Sequence, residues 1–258
     1  MPTPARVLFV AGEVTPFSNV SDVAALVRTL PEELMALDDD LDARIMMPRY
    51  GTISTRKNRL HEVIRLSGTD IKMGDVTETL KVRVASIPGT RLQVYFMDNK
   101  TYFKRKGLHA NSNGELFDDN AERALFFGRS VLETVGKLRW KPDIVHAFGW
   151  VSSFLPVLLR SEYASHELFD ETKVIYTPDG IDAEALLTNG LAESAKLEVN
   201  GEVNGQALST AALNHADAAI FPAHISPTNG GHVFNGEDDG RASQLLDLYS
   251  KTRESVPA

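Results

Sequence analysis

Short, continuous runs of apolar residues recur along the chain, and stretches with helical spacing of apolar residues separate them. The runs are typical of strands buried on both faces of a parallel sheet. They lie at residues 6–11, 43–48, 141–146, 173–177 and 217–221. The stretches with helical spacing lie at residues 21–37, 119–136, 150–159, 183–196, 206–215 and 240–254. This alternation predicts an α/β fold, a doubly wound Rossmann-like parallel sheet with helices on both faces.

Residues 60–97 follow a different rhythm. Three short alternating runs are separated by Ser-Gly, Met-Gly and Pro-Gly turns, which predicts an inserted β-hairpin or meander. We expect residues 1–226 to form one domain around this insertion. Residues 227–258 are predicted to form a loop and a terminal helix that packs back on the domain. Within the first helix, Pro31 is expected to cause a kink or a restart, and Ser21 is the expected cap.

Composition excludes several kinds of chemistry. Of 258 residues 43% are apolar, which suits one large domain, and the net charge of -8 is scattered, so nucleic acid is not an expected partner. There is no cysteine, so disulfides, thiolate zinc sites and cysteine nucleophiles are excluded. The seven histidines include no i, i+4 pair, and no metal or cofactor is expected. No apolar stretch is long enough to cross a membrane, and we expect a cytoplasmic protein.

Five segments carry a more specific signal. They read VLFVAGEVTPF at 7–17, IMMPRYG at 45–51, YFMDN through DNAERALFF at 95–127, KPDIVHAFGW at 141–150 and ADAAIFPAHIS at 216–226. In residue identity, order and spacing they resemble the N-terminal catalytic domain of bacterial glycogen/starch synthases. These enzymes transfer glucose from ADP-glucose to an α-1,4-glucan. The resemblance implies a single lobe of the two-lobed GT-B arrangement. It ends near Ser226, and we expect the half that binds the sugar nucleotide to be absent.

The resemblance also implies a set of substrate-binding candidates on the crevice of the sheet. These residues are Glu13, Tyr50, Asp119, Asn120, Arg123, His146 and Trp150. Simpler structural roles compete for several of them. Asp119 could cap a helix and pair with Arg123 one turn later, Glu13 could cap a neighbouring helix, and His146 could be a buried structural histidine.

Two chemical motifs of the family are altered. The family's phosphate loop reads Lys-Thr-Gly-Gly-Leu, whereas this chain has Asn19, Ser21 and Asp22 at the Lys and Gly positions, residues that suit a helix cap and place an anion where a phosphate would lie. The family's His-Ala-His-Asp-Trp becomes His-Ala-Phe-Gly-Trp, so Phe148 and Gly149 replace a His that contacts the transferred glucose and its neighbouring Asp. A further family His, in Thr-Ile-His-Asn, gives way to the turn sequence Pro-Asp-Gly at 178–180.

Two functions therefore stay open. The first is a glycosyltransferase of the glycogen synthase type that is impaired alone and depends on a partner for the nucleotide-binding half. The second is a non-catalytic protein that binds an α-glucan or another protein of glycogen metabolism. Self-association into a homo-oligomer is also expected, to cover an exposed inter-lobe face. A dinucleotide site is not expected, because Gly12 stands alone after the first strand.

Overall fold

A computed structural model of the chain describes residues 6–181, 183–197, 204–228, 231–234 and 240–254. The strands are β1 Arg6–Ala11, β2 Asp42–Pro48, β3 His61–Glu62, β4 Thr69–Met73, β5 Val76–Ser86, β6 Gln93–Asp98, β7 Ile144–Phe148, β8 Lys173–Thr177, β9 Leu186–Leu187, β10 Gln206–Ala207, β11 Ala218–Phe221 and β12 His232–Val233. The helices are α1 Val23–Leu37, α2 Lys100–Phe103, α3 Asn120–Leu138, α4 Phe154–Arg160, α5 Asn189–Ser194, α6 Leu208–His215 and α7 Arg241–Glu254.

One mixed sheet organises the molecule. Its strand order is β12-β11-β8-β7-β1-β2-β6-β5-β3, and β4 pairs with β5. In this spatial order, every neighbouring pair from β12 to β6 is parallel. The pairs that β5 makes with β6, β3 and β4 are antiparallel. The parallel core and the antiparallel insertion are both as predicted.

Helices cover the two faces of this sheet. α1 and α7 pack together, while α4 packs against both α3 and α6. Strands β7 and β8 are buried at every position, which explains their continuous apolar sequences. The predicted α/β fold is confirmed.

Several local predictions need correction. α1 continues through Pro31 to Leu37 instead of restarting there. The segment predicted as a helix from residue 183 contains β9 first, and helix α5 begins only after Thr188, whose side chain accepts a hydrogen bond from the backbone N–H of Leu191. Residues 206–207 pair with β9, so α6 begins at Leu208. The predicted loop at 226–239 contains strand β12, and residues 229–230 and 235–239 lie outside the described residues.

Candidate functional site

The carboxyl ends of the parallel strands and the N-terminus of α3 bring the candidate residues to one edge of the sheet. Ligand sites of doubly wound folds lie at this edge, outside the ends of the strands. Glu13 follows β1, Tyr50 follows β2, and Gly149 and Trp150 follow β7. Asn120 and Arg123 lie in the first turn of α3.

Glu13 closes the loop that follows β1. Its Oε2 accepts hydrogen bonds from Ser18 Oγ at 3.0 Å and from the backbone N–H of Val20 at 2.6 Å. It therefore caps no neighbouring helix. Its second oxygen, Oε1, is buried and has no hydrogen-bond partner among the described residues.

The loop leading into α1 lacks the predicted side-chain caps. Asp22 occupies the N-cap position, but its side chain makes no capping hydrogen bond. The backbone supplies the bonds instead, since the N–H of Ala24 donates to the carbonyl oxygen of Ser21 at 3.2 Å. Asn19 and Asp22 are exposed, and the Oδ1 of Asn19 accepts a hydrogen bond from Thr15 Oγ1 at 3.4 Å. The capping interpretation of Ser21 and Asp22 is therefore wrong.

Arg123 forms the centre of a buried polar group. Its side chain is fully buried, with Nε donating to the carbonyl oxygen of Tyr102 at 2.9 Å and Nη1 donating to Asn120 Oδ1 at 2.6 Å. Burial lowers the pKa of Arg123. Its guanidinium carbon lies 6.0 Å from the Tyr50 ring centre and 5.5 Å from that of Trp150. Nη2 has no hydrogen-bond partner among the described residues.

Tyr50 adds another buried polar atom to this group. The residue is fully buried, and its hydroxyl has no hydrogen-bond partner within the described ranges. Burial raises the pKa of Tyr50 above its usual value, so the hydroxyl stays protonated and can donate. A side-chain carbon added at Gly12 would lie 3.5 Å from this hydroxyl, which places the hydroxyl beside the end of β1.

Asp119 has a different partner from the one expected. It makes no capping bond to α3, and both of its oxygens accept from the guanidinium of Arg105. The Asp119 carboxylate thus pairs with Arg105 and not with Arg123. Predictions of a cap and of an Asp119–Arg123 ion pair are therefore wrong. Asn120 is buried, and its amide donates to the carbonyl oxygens of His109 at 2.9 Å and Ala183 at 2.8 Å.

His146 is held as a neutral structural histidine. It is fully buried, with Nδ1 2.7 Å from the Tyr249 hydroxyl and Nε2 2.8 Å from Thr177 Oγ1. Burial lowers the pKa of His146 to about 3. The fully buried ring of Phe148 stacks on this imidazole with ring centres 4.0 Å apart. Neither ring is free to contact a ligand in this arrangement.

Gly149 and Asp179 share one space at the end of β7. Gly149 has φ 74° and ψ -178°, a conformation that glycine adopts readily. A side-chain carbon there would lie 2.1 Å from Asp179 Oδ2. Asp179 accepts hydrogen bonds from the backbone N–H groups of Trp150 and Ile181, each at 3.2 Å. Burial, with a smaller contribution from the negative charge of Glu13, raises the pKa of Asp179 to about 6.

Sequence reasoning missed Asp179 and Tyr249 as contributors to this region. The sequence did carry a signal for Asp179, because it follows a buried strand at the edge where sites form. The partnership of Tyr249 with a residue on β7 spans 103 positions and had no local signal. Within the described residues, no group of three or more His, Asp or Glu could hold a metal ion. None of the described helices is long and apolar enough to cross a membrane.

Comparison with known proteins identifies the family. A family model described as the starch synthase catalytic domain matches residues 6–224. The glycogen synthase of Chlorobium limicola is 42% identical over 183 residues, which cover 70% of this chain and 37% of that protein. The glycogen synthase of Chlorobium luteolum is 36% identical over 232 residues, covering 83% and 47%. The chain thus spans less than half the length of these relatives.

A solved structure shares the fold. The catalytic domain of starch synthase IV from Arabidopsis thaliana, bound to ADP and acarbose, superposes with a TM-score of 0.63 at 19% identity, covering 96% of this chain and 50% of that one. At this identity the likeness concerns the fold alone. Together with the family match over most of its length, it leads to one conclusion: this chain belongs to the starch synthase catalytic domain family.

Proposed function

We propose that this chain is a glycogen synthase-type domain that binds an α-glucan at the crevice but does not by itself transfer glucose from ADP-glucose. The observation that carries the proposal is the arrangement of Phe148, Gly149 and Asp179 at the end of β7. Phe148 is packed on His146, and the carboxylate of Asp179 fills the space of a side chain at position 149. Phe148, which stands where the family has the His that contacts the glucose, has no group that can donate a hydrogen bond to a sugar hydroxyl.

The loop before α1 supports the same proposal. A diphosphate is best held by backbone N–H groups at a helix N-terminus together with a cation. Here Asn19 and Asp22 are exposed in the segment that leads into α1, and neither is a cation. The carboxylate of Asp22 opposes each nearby phosphate charge by about 1–4 kcal/mol at contact distance near a protein surface.

Glucan binding is supported by polar atoms that the protein leaves unsatisfied. Glu13 Oε1, the Tyr50 hydroxyl and Arg123 Nη2 are buried without hydrogen-bond partners among the described residues. Buried polar atoms of this kind are normally satisfied by ordered water or by a ligand. Two donors and an acceptor match the hydroxyl groups of a glucose unit, and the Trp150 ring, 5.5 Å from the Arg123 guanidinium, matches its apolar face.

A second function is favoured by the sequence identity between this chain and a glycogen synthase. The segment of that enzyme that matches this chain is 37% of its length. In this alternative the domain supplies the glucan-binding lobe of an active synthase, and a nucleotide-binding lobe completes the site. The two functions make the same prediction for glucan binding and differ only in transfer when such a lobe is present.

The test measures transfer and binding separately. The purified chain is incubated with labelled ADP-glucose and glycogen, alone and with cell extract, while ADP binding is followed by calorimetry and glucan binding by affinity electrophoresis. We expect glucan binding, with neither ADP binding nor labelled glucan from the chain alone. Transfer by the chain alone would refute impairment, and a failure to bind glucan would refute the binding role. Labelling that appears only with the extract would favour the second function.

A pair of variants locates the glucan site. Tyr50→Phe removes one unsatisfied donor and should weaken glucan binding about 3- to 10-fold, as expected for loss of one hydrogen bond. Tyr163→Phe is the matched control. Tyr163 lies in the segment after α4, and its hydroxyl already has a partner, since it donates to Glu133 at 2.8 Å. Equal effects of both variants on glucan binding would show that Tyr50 has no part in it.

A further inference from the structure

We propose that a second site, a cation-lined groove beside β5 and α2, binds the phosphate group of a small phosphorylated ligand such as a sugar phosphate. We call it the β5–α2 groove. It has a volume of about 530 Å³. The residues lining it are Arg49, Thr77, Glu78, Thr79, Lys81, Arg83, Asp98, Asn99, Lys100, Thr101 and Lys104.

The charge of this groove is opposite to that of the whole chain. Five of its lining residues are Lys or Arg and two are Asp or Glu, whereas the chain has 27 basic and 35 acidic residues. Cations gathered in a concave surface reinforce one another's field and attract anions from solution. The β5–α2 groove is therefore a local positive region on an acidic protein.

Its carboxylates do not neutralise all of these cations. Asp98 is shared, since it accepts from Arg83 Nε at 2.7 Å and lies 3.9 Å from Arg49 Nε. Glu78 is bound by neutral donors, the Asn99 amide and the Thr101 hydroxyl, each at 2.9 Å. The Glu62 carboxylate also lies near the groove, 3.4 Å from Arg83 and 3.9 Å from Lys81.

Three donors of the groove remain available to a ligand. Lys100 and Lys104 are exposed and form no ion pair with any described residue. Arg49 Nε is buried and makes no hydrogen bond within the described part of the chain. The Asp98 carboxylate lies 3.9 Å from this nitrogen, beyond hydrogen-bond distance, so an oxygen of a bound anion would supply the hydrogen bond that the nitrogen lacks.

These donors suit a phosphate dianion. Arginine and lysine side chains form short, charge-assisted bonds to phosphate oxygens. Threonine hydroxyls at positions 77, 79 and 101 lie in the same groove. Those of Thr79 and Thr101 already donate to Asp70 and Glu78, and their oxygens can still accept a hydrogen bond from a hydroxyl group of an attached sugar. The shared chemistry is a phosphate group, which either a sugar phosphate or free phosphate could provide.

The test uses the whole chain and calorimetry at low ionic strength, where surface charges are least screened. The probes are glucose 6-phosphate, inorganic phosphate and glucose. We expect both phosphates to bind and glucose not to bind at this site. Tighter binding of glucose 6-phosphate would identify a sugar phosphate as the ligand, and equal binding would identify free phosphate.

Two double variants locate the site. Lys100→Ala with Lys104→Ala should weaken phosphate binding at least tenfold. Lys137→Ala with Lys251→Ala, which removes two exposed lysines elsewhere, should leave it unchanged. Circular dichroism checks that both variants fold. The proposal is overturned if neither phosphate binds, if glucose binds as well as its phosphate, or if the two double variants have the same effect.

Discussion

Replacing Asp179 with Asn should change the way that stability depends on pH. The Asp179 carboxylate is largely buried beside Gly149 and accepts hydrogen bonds from the backbone N–H groups of Trp150 and Ile181, each at 3.2 Å. Burial opposes its ionisation, as does the charge of Glu13. Asp179→Asn keeps the size and one acceptor oxygen of the side chain and removes the charge at every pH.

The size of the effect follows from the pKa. In the unfolded chain Asp179 ionises near 3.8, and in the folded protein its pKa is about 6. Below pH 3.8 the side chain is protonated in both states and its contribution to stability is fully present. As pH rises through 6 the folded protein must hold a buried charge, and about 3 kcal/mol of that contribution is lost.

Urea unfolding of both proteins, at a series of pH values from about 4 to 7, measures this directly. Other titrating groups contribute equally to both proteins, so their contributions cancel in the difference in unfolding free energy between wild type and Asp179→Asn. Relative to the variant, wild type should lose stability steadily across this interval. A constant difference, or a wild type that gains relative stability as pH rises, would show that the N–H groups of Trp150 and Ile181 stabilise the anion and that the burial argument is wrong.

Further substitutions test other contacts through urea unfolding. Arg129→Met removes a buried cation that pairs with Glu162 at 2.9 Å and should cost about 3–5 kcal/mol; a loss below 1 kcal/mol would contradict a structural role for this pair. Tyr249→Phe leaves a buried nitrogen of His146 without its partner and should cost about 1–3 kcal/mol, whereas an unchanged stability would mean that water replaces the hydroxyl. Arg105→Gln breaks a partly exposed ion pair and should cost less than about 1 kcal/mol, so a larger loss would show that this pair orders the start of α3.

The parallel core could be predicted because its sequence signal is local. Strands β7 and β8 are buried on both faces, so their sequences are mostly apolar without the alternation of a half-exposed strand. The region around β9 could not be predicted in this way. Its alanines and leucines suit a helix, yet residues 186–187 pair with β10 about twenty residues later, and this pairing overrides the local preference.

The candidate site was predictable in its location but not in its contacts. Tyr50, Arg123 and Trp150 lie together, as expected for residues near the carboxyl ends of strands in a doubly wound sheet, whereas His146 lies in the middle of β7. The partner of Asp119 could not be predicted, since Arg105 lies 14 positions earlier, at the start of a loop of irregular structure. The filling of the space at Gly149 by Asp179 also depends on contact between two separate strand ends, which no single stretch of sequence reveals.

The bond between His146 and Tyr249 has a consequence for how the molecule can be divided. Tyr249 and Leu245 of α7 are fully buried, and the Tyr249 hydroxyl holds the imidazole in the middle of β7. A fragment cut before α7 would open the apolar core beside α1 and leave that imidazole nitrogen without its partner. We therefore expect the smallest piece able to fold independently to include residues 240–254, although the family match ends at residue 224. The limit of the family match and the expected limit of the folding unit are different boundaries.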